Sequence, residues 1–182
     1  MQIEAKKLQQ QYPEFAQIPL DDWVKNGVAI AYVESKFNPL AKNKSSTAKG
    51  LMQILKGTKK AIENNILKKK ALIGDLADAQ YSAKLGLAYI AYNYNHPNYG
   101  KKNWDRTIVS YNQGHYDEAG FGYLKKVKSV FTQIDFAALQ AGYDNYSSLS
   151  TFKKLFGDIG GIRSPQFVST GTHEYYDEDI TT

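Results

Sequence analysis

Val28-Ala29-Ile30-Ala31-Tyr32-Val33-Glu34-Ser35-Lys36-Phe37-Asn38-Pro39 runs from six almost wholly apolar residues into a carboxylate, and then into Ser, Asn and Pro. The apolar part fits a buried helix and falls far short of the roughly 20 apolar residues a membrane span needs. A carboxyl at the end of a segment like this is partly withdrawn from water. Desolvation disfavours its charged form and raises its pKa, and a raised pKa suits a carboxyl to act as a general acid near neutral pH. Glu34 is therefore the first candidate for chemistry.

Outward from this segment, the apolar spacing is helical over most of the 182 residues. A short helix is expected over 2–11, stopped by Pro13. Asp21 or Asp22 can cap the next, whose apolar positions include Trp23, Val24, Val28 and Tyr32. Residues 35–50 are rich in Ser, Asn, Lys, Pro and Gly and read as a loop. Thr58 can cap a helix to about Lys70. Asp75 or Asp78 can open a long one ending before His96-Pro97, and Asn103 or Asp105 another ending near Gly114. Further helices are expected over 118–134, 135–143 and 147–156. No run of period-two alternation stands out, so the expected fold class is mainly α, with a minor strand or two in the loops or none. From Gly157 the chain turns to Gly, Pro and an acidic end, and is expected to form an extended polar tail. The expected organisation is a helical domain over 1–156 and a tail over 157–182.

Composition removes several classes of function. Hydrophobic residues make up 42% and charged residues 23%, which is ordinary for a globular protein. There are no cysteines, which excludes disulfides, thiolate metal sites and cysteine nucleophiles. The three histidines, His96, His115 and His173, have no metal-ligand spacing, so no metal is expected. There is no phosphate-binding glycine loop and no dinucleotide fingerprint, and no cofactor is expected. The net charge of +5 favours polyanions in general. Lys59, Lys60 and the run 68–70 read as a solvated helix face, and no nucleic-acid partner is expected. The N-terminus, Met1-Gln2-Ile3-Glu4-Ala5-Lys6-Lys7, is polar and lacks the apolar core of a signal peptide.

Two further segments accompany Glu34: Ala48-Lys49-Gly50-Leu51-Met52-Gln53-Ile54 and Ser110-Tyr111-Asn112-Gln113-Gly114. Gly50 allows close backbone approach. Gln53 offers both a donor and an acceptor to a sugar hydroxyl or acetamido group. Tyr111 and Asn112 place a phenol and an amide at the end of another apolar helix. Each segment alone has an ordinary explanation as a cap, a turn or a helix end. Their order and separation are harder to explain that way.

Together they resemble the catalytic domain of soluble lytic transglycosylases, relatives of goose-type lysozyme. That family carries E-S-x-F/W-N-P, then G-L-M-Q, then A-Y-N-x-G, matched here by Glu34-Ser35-Lys36-Phe37-Asn38-Pro39, Gly50-Leu51-Met52-Gln53 and Ser110-Tyr111-Asn112-Gln113-Gly114. A weaker family signature, N-I-x-x-G-x-x-Y-L, is matched by Ser82-Ala83-Lys84-Leu85-Gly86-Leu87-Ala88-Tyr89-Ile90, and a late Tyr followed four residues on by Val resembles Tyr123 and Val127. The resemblance covers roughly residues 20–130. There are departures. The spacing from Glu34 to Gly50 is one residue longer than usual, Ser110 stands where Ala is common, and Leu55-Lys56 replaces a frequent Met-Pro.

The resemblance implies a lysozyme-like helical fold and an enzyme that cuts the glycan strands of peptidoglycan, with Glu34 catalytic. It implies that Gln53 and Tyr111 meet the substrate. Met52 either lines the cleft or packs in the core. Ser35, Gly50 and Asn112 would support the site, together with one loop serine, Ser45 or Ser46; a count without a gap puts Asn43 there instead. No Asp or Glu lies between Glu34 and Glu63. Water-using glycosidases normally employ two carboxyl groups, so the implied reaction is the non-hydrolytic one, giving 1,6-anhydro-muramic ends with one Glu as acid and then base. The rivals are a goose-type hydrolase using a distant carboxylate such as Asp105 or Asp117, and a non-catalytic glycan-binding or structural module. The missing signal and the Tyr111-Asn112-Gln113-Gly114 form give the expected setting: a phage virion-associated domain among other virion proteins, acting on the host wall. A piece of an exported bacterial enzyme is the alternative.

Overall fold

The computed structural model describes residues 1–68 and 74–136. Six α-helices are described: α1 (Gln2–Gln11), α2 (Leu20–Ser35), α3 (Lys56–Ala61), α4 (Ala79–Asn95), α5 (Trp104–Gln113) and α6 (Phe121–Phe131). Short 3-10 turns at Pro13–Phe15 and Glu118–Gly120 and a π turn at Ile62–Ile66 join them. No named strand occurs among the described residues. The expected minor β structure reduces to two isolated antiparallel bridges, Lys42 with Lys49 and Lys49 with Ile54. The chain divides into two compact units, Met1–Thr132 and Gln133–Thr182. Everything below concerns the first. The helix expected over 135–143 lies outside the described residues from 137 onward. The one over 147–156 and the tail over 157–182 lie wholly outside them.

The mainly α expectation holds, while the helix starts differ in detail. Asp78 caps α4 by accepting from the Tyr81 N–H, and Asn103 caps α5 by accepting from the Arg106 N–H. Gly114 ends α5 in the left-handed conformation, at φ 79°. Asp21 and Asp22 do not cap α2. It begins at Leu20 with Pro19 in the cap position, two residues before Asp21, and the two carboxylates lie in the first turn, where they favour the positive end of the helix dipole. Thr58 lies inside α3, which starts at Lys56 without a side-chain cap and loosens into the π turn well short of Lys70.

α4 packs against α1, α2 and α5, while α2 and α5 both pack against α6. The sequence of α4 explains its place. Ala83, Leu85, Leu87, Ala88, Ile90 and Ala91 point in nearly every direction around the helix, and all are buried. A helix that is apolar most of the way round belongs in a core, and each large side chain buried here contributes roughly 1.5–3 kcal/mol. Trp23 of α2 is fully buried and donates its indole N–H to the Leu87 carbonyl at 3.1 Å, pinning α2 to α4. The outcome is a framework of α2, α4, α5 and α6 that holds three chain segments in place: the end of α2, the loop after Gly50, and the end of α5.

Candidate active site

Glu34 sits in the last turn of α2, half-buried, one turn beyond the buried residues Ala29, Ile30 and Ala31, with the partly covered Tyr32 and Val33 between. Lys36 caps the helix in the left-handed conformation at φ 54°, and Phe37 follows at φ 62°. Two successive non-glycine residues in that region cost roughly 1–2 kcal/mol each. The buried Phe37 ring helps offset this; it lies 5.6 Å from the Tyr32 ring. The Asn38 side-chain oxygen then accepts from the Leu40 N–H, closing the turn away from the helix. So the Ser-Lys-Phe-Asn-Pro string ends α2 sharply and leaves Glu34 at a half-open edge of the core.

Ser35 links this helix end to the next segment. Its hydroxyl lies 2.8 Å from the Leu51 carbonyl and 3.1 Å from that of Ala31. Gly50 stands at φ 78°, and a Cβ there would lie 1.9 Å from the Leu76 carbonyl oxygen, so no other residue fits without moving the backbone. Gln53 is also left-handed, at φ 46°. Its amide NH2 donates to the Ala41 carbonyl at 3.1 Å and to the Gly50 carbonyl at 2.9 Å. Those bonds fold the loop back on itself and leave the amide oxygen as the end that can accept from a ligand.

Met52 is a correction to one of the two readings open from the sequence. Its side chain is fully buried, and a Cβ at Gly86 would meet its Cγ and Cε at 2.6 Å. It packs in the core and does not line a cleft. Its backbone is nonetheless part of the site: the N–H donates to Ser82 Oγ at 3.2 Å, and the carbonyl accepts from the Tyr111 hydroxyl at 2.8 Å. Tyr111 is buried at the end of α5, with its ring 5.4 Å from that of Tyr89. Burial, the Glu34 carboxylate and the Tyr89 phenol together hold the Tyr111 hydroxyl well above the usual tyrosine range.

Tyr123, in the first turn of α6, donates its hydroxyl to Glu34 Oε1 at 2.6 Å. Burial is the larger influence on Glu34 and pushes its carboxyl up; the Tyr123 hydrogen bond opposes it and does not cancel it. Burial, Glu34 and Tyr111 in turn raise the Tyr123 phenol well above its usual range. Glu34 thus stands among two neutral phenols, with its proton held more firmly than in water. No carboxylate among the described residues contributes to its shift. Asp105 pairs with Lys128 at 2.5 Å, and Asp117 meets His115 and caps the Glu118–Gly120 turn.

Other expected supports lie elsewhere. Ser45 and Ser46 are exposed and bonded within their own loop: the Ser45 N–H donates to Asn43, and Ser46 Oγ accepts from the Ala48 N–H. Neither makes a hydrogen bond to Glu34 among the described residues. Asn112 is exposed and accepts from the neighbouring Gln113 amide. It faces away from the core that holds Tyr111, because adjacent helix positions point about 100° apart. The hydroxyl that holds Glu34 is that of Tyr123. Its Tyr-to-Val spacing is visible in the sequence, but its partner, 89 residues away, is not.

The family model described as the transglycosylase SLT domain matches residues 22–128. The chain belongs to that family. The match begins in the first turn of α2 and ends within α6, so it contains Glu34, Gly50, Gln53, Tyr89, Tyr111 and Tyr123. No curated protein and no solved structure matches the chain. The SLT domain here is therefore of the lysozyme-like, peptidoglycan-degrading kind, on a mainly helical fold. No described helix is long and apolar enough to cross a membrane.

Proposed function

We propose that this SLT domain is a lytic transglycosylase that cleaves the bond from N-acetylmuramic acid to N-acetylglucosamine without water as nucleophile. The observation that carries this reading is the Glu34 environment: a half-buried carboxyl with a raised pKa, hydrogen-bonded to Tyr123 and with no carboxylate partner among the described residues. A carboxyl whose proton is held more tightly than in water is suited to donate it to the leaving glycosidic oxygen. The muramic acetamido oxygen then attacks its own anomeric carbon as the bond to that oxygen breaks. Glu34, now a carboxylate, takes the proton from the C6 hydroxyl as this oxygen closes onto the anomeric carbon and displaces the acetamido group. Glu34 ends protonated again, and the product carries a 1,6-anhydro ring. The internal attack benefits from proximity that a free water lacks.

In this reading Tyr123 orients Glu34 and moderates its pKa, and Tyr111 holds the loop carbonyl of Met52 against the site. Gln53 presents its amide oxygen to the sugar. The Tyr111-Asn112-Gln113-Gly114 form extends the reading to delivery by a phage particle, which purified virions probed for this chain would test. The deciding experiment is mass spectrometry of digested peptidoglycan. Anhydro ends, lighter by one water than hydrolysed ends, are expected. Reducing ends would replace the lyase by a goose-type hydrolase, and an intact wall would leave a binding module.

A further inference from the structure

α4 carries a stripe of aromatic rings that the core does not use. Tyr89, Tyr92 and His96 recur at three- and four-residue intervals, so they share one face of α4 and its cap. The turn after α4 adds Tyr99, whose ring stacks on His96 at 3.9 Å and an interplanar angle of 19°. Tyr92 lies 5.2 Å from His96 and 6.3 Å from Tyr99. At the other end, Tyr89 lies 5.4 Å from Tyr111, whose phenol feels the Glu34 charge. The rings fall in two groups on this side of α4, Tyr89 beside Tyr111 and Tyr92 with His96 and Tyr99, about one helical turn apart. From Tyr89 to His96 they cover about 10 Å of helix.

Simple packing does not account for these rings. Tyr94, on the other side of α4, is buried and packs 4.3 Å from Trp104, as a core tyrosine does. Tyr92, by contrast, keeps 36% of its surface exposed, and Tyr89, His96 and Tyr99 are only partly covered. The turn holding the outer rings is fixed by its backbone. The Gly100 N–H donates to the Asn93 carbonyl at 2.8 Å, and the Tyr99 carbonyl accepts from the Arg106 guanidinium at 3.0 Å. Rigid, half-exposed rings with polar tips offer a large amphipathic contact surface at little entropic cost. Pyranose rings present the matching chemistry, with apolar C–H faces and a hydroxyl rim.

We infer that Tyr92, His96 and Tyr99 form a sugar-stacking platform, about one helical turn beyond Tyr89, for rings of the same glycan strand several units away from the cleaved bond. This rests on the proposed glycan-cleaving function. Binding energy gathered so far from the reacting bond can be used to hold the strand in register at Glu34.

The test uses the full chain in two forms. The active protein is assayed for release of glycan fragments from peptidoglycan. A Glu34→Gln background is used to measure affinity for a peptide-free muramyl tetrasaccharide and for long strands of the same repeat. Tyr92→Ala and Tyr99→Ala should each lower the ratio of long-strand to tetrasaccharide affinity by about tenfold, and Tyr92→Trp should restore it. The Tyr92→Trp emission should also shift on adding long strands and stay unchanged with the tetrasaccharide, a readout that needs no destabilising variant. An unchanged ratio together with an unshifted emission overturns the platform and leaves the cleavage function intact if the active protein still releases fragments. An equal loss for both lengths means that the rings serve only the fold, which also overturns it. If the active protein releases nothing, the proposed function fails and the platform with it.

Discussion

The Tyr123 hydroxyl meets Glu34 Oε1 at 2.6 Å and so ties the first turn of α6 to the last turn of α2. These two helices pack against each other, and both residues of the pair are partly covered. A phenol is well suited to this position. It donates to the carboxylate without carrying a charge, so it steadies Glu34 while leaving burial to keep the pKa high.

Tyr123→Phe removes the influence that lowers the Glu34 pKa and leaves burial unopposed. The carboxyl then holds its proton to higher pH. The alkaline limb of kcat/KM, which reports loss of the protonated acid, should move to higher pH than in the parent. The optimum rate should fall, by up to about a hundredfold, because the carboxyl is less well positioned. A pH–rate profile of both proteins checks the direction; a limb moving down in pH would contradict it.

Glu34→Gln should lower glycan cleavage by about 10²–10⁴-fold, the usual contribution of a general acid. It should also stabilise the fold, and the sign follows from linkage. The folded pKa lies above the unfolded one, so the folded state binds the proton more tightly. Stability is full below the ordinary carboxyl range and is lost as pH rises toward the raised folded value. The amide never ionises and escapes that loss. Thermal melts should place the variant above the parent at neutral pH and level with it in acid.

Gly50→Ala should cost about 2–4 kcal/mol, from a left-handed backbone and a Cβ aimed at the Leu76 carbonyl. Denaturant titration measures it. A neutral result would mean that the loop after α2 shifts freely, contrary to the bonds that Gln53 and Ser35 make there.

Tyr111→Phe keeps the ring against Tyr89 but strips the Met52 carbonyl of its donor. Leaving a buried acceptor unmatched costs about 1–3 kcal/mol. Activity should fall as well, because this bond holds the segment between Gly50 and Gln53 beside Glu34. Comparing melting temperature with kcat/KM on peptidoglycan separates the two effects.

Much of the fold was legible in residue order, because its causes are local. Apolar spacing marks the helices, Asp78 and Asn103 cap two of them, and Gly114 ends α5. Less legible were the starts of α2 and α3, where a proline and a leucine precede the helix and no side chain caps it. The π turn at Ile62–Ile66 was invisible to a pattern that assumes one helical period.

The sequence by itself determined a mainly helical chain, the position of Glu34 after an apolar run, and motifs whose order resembles one family. These features are written in neighbouring residues. Only the tertiary structure decided what surrounds that carboxyl. It brought in Tyr123 from 89 positions away, buried Tyr111 beneath the loop, took the Met52 side chain into the core, and left Ser45, Ser46 and Asn112 outside. The reason is physical. The pKa and orientation of Glu34 depend on desolvation and on one hydrogen bond across the interface between α2 and α6, and neither exists until those helices pack.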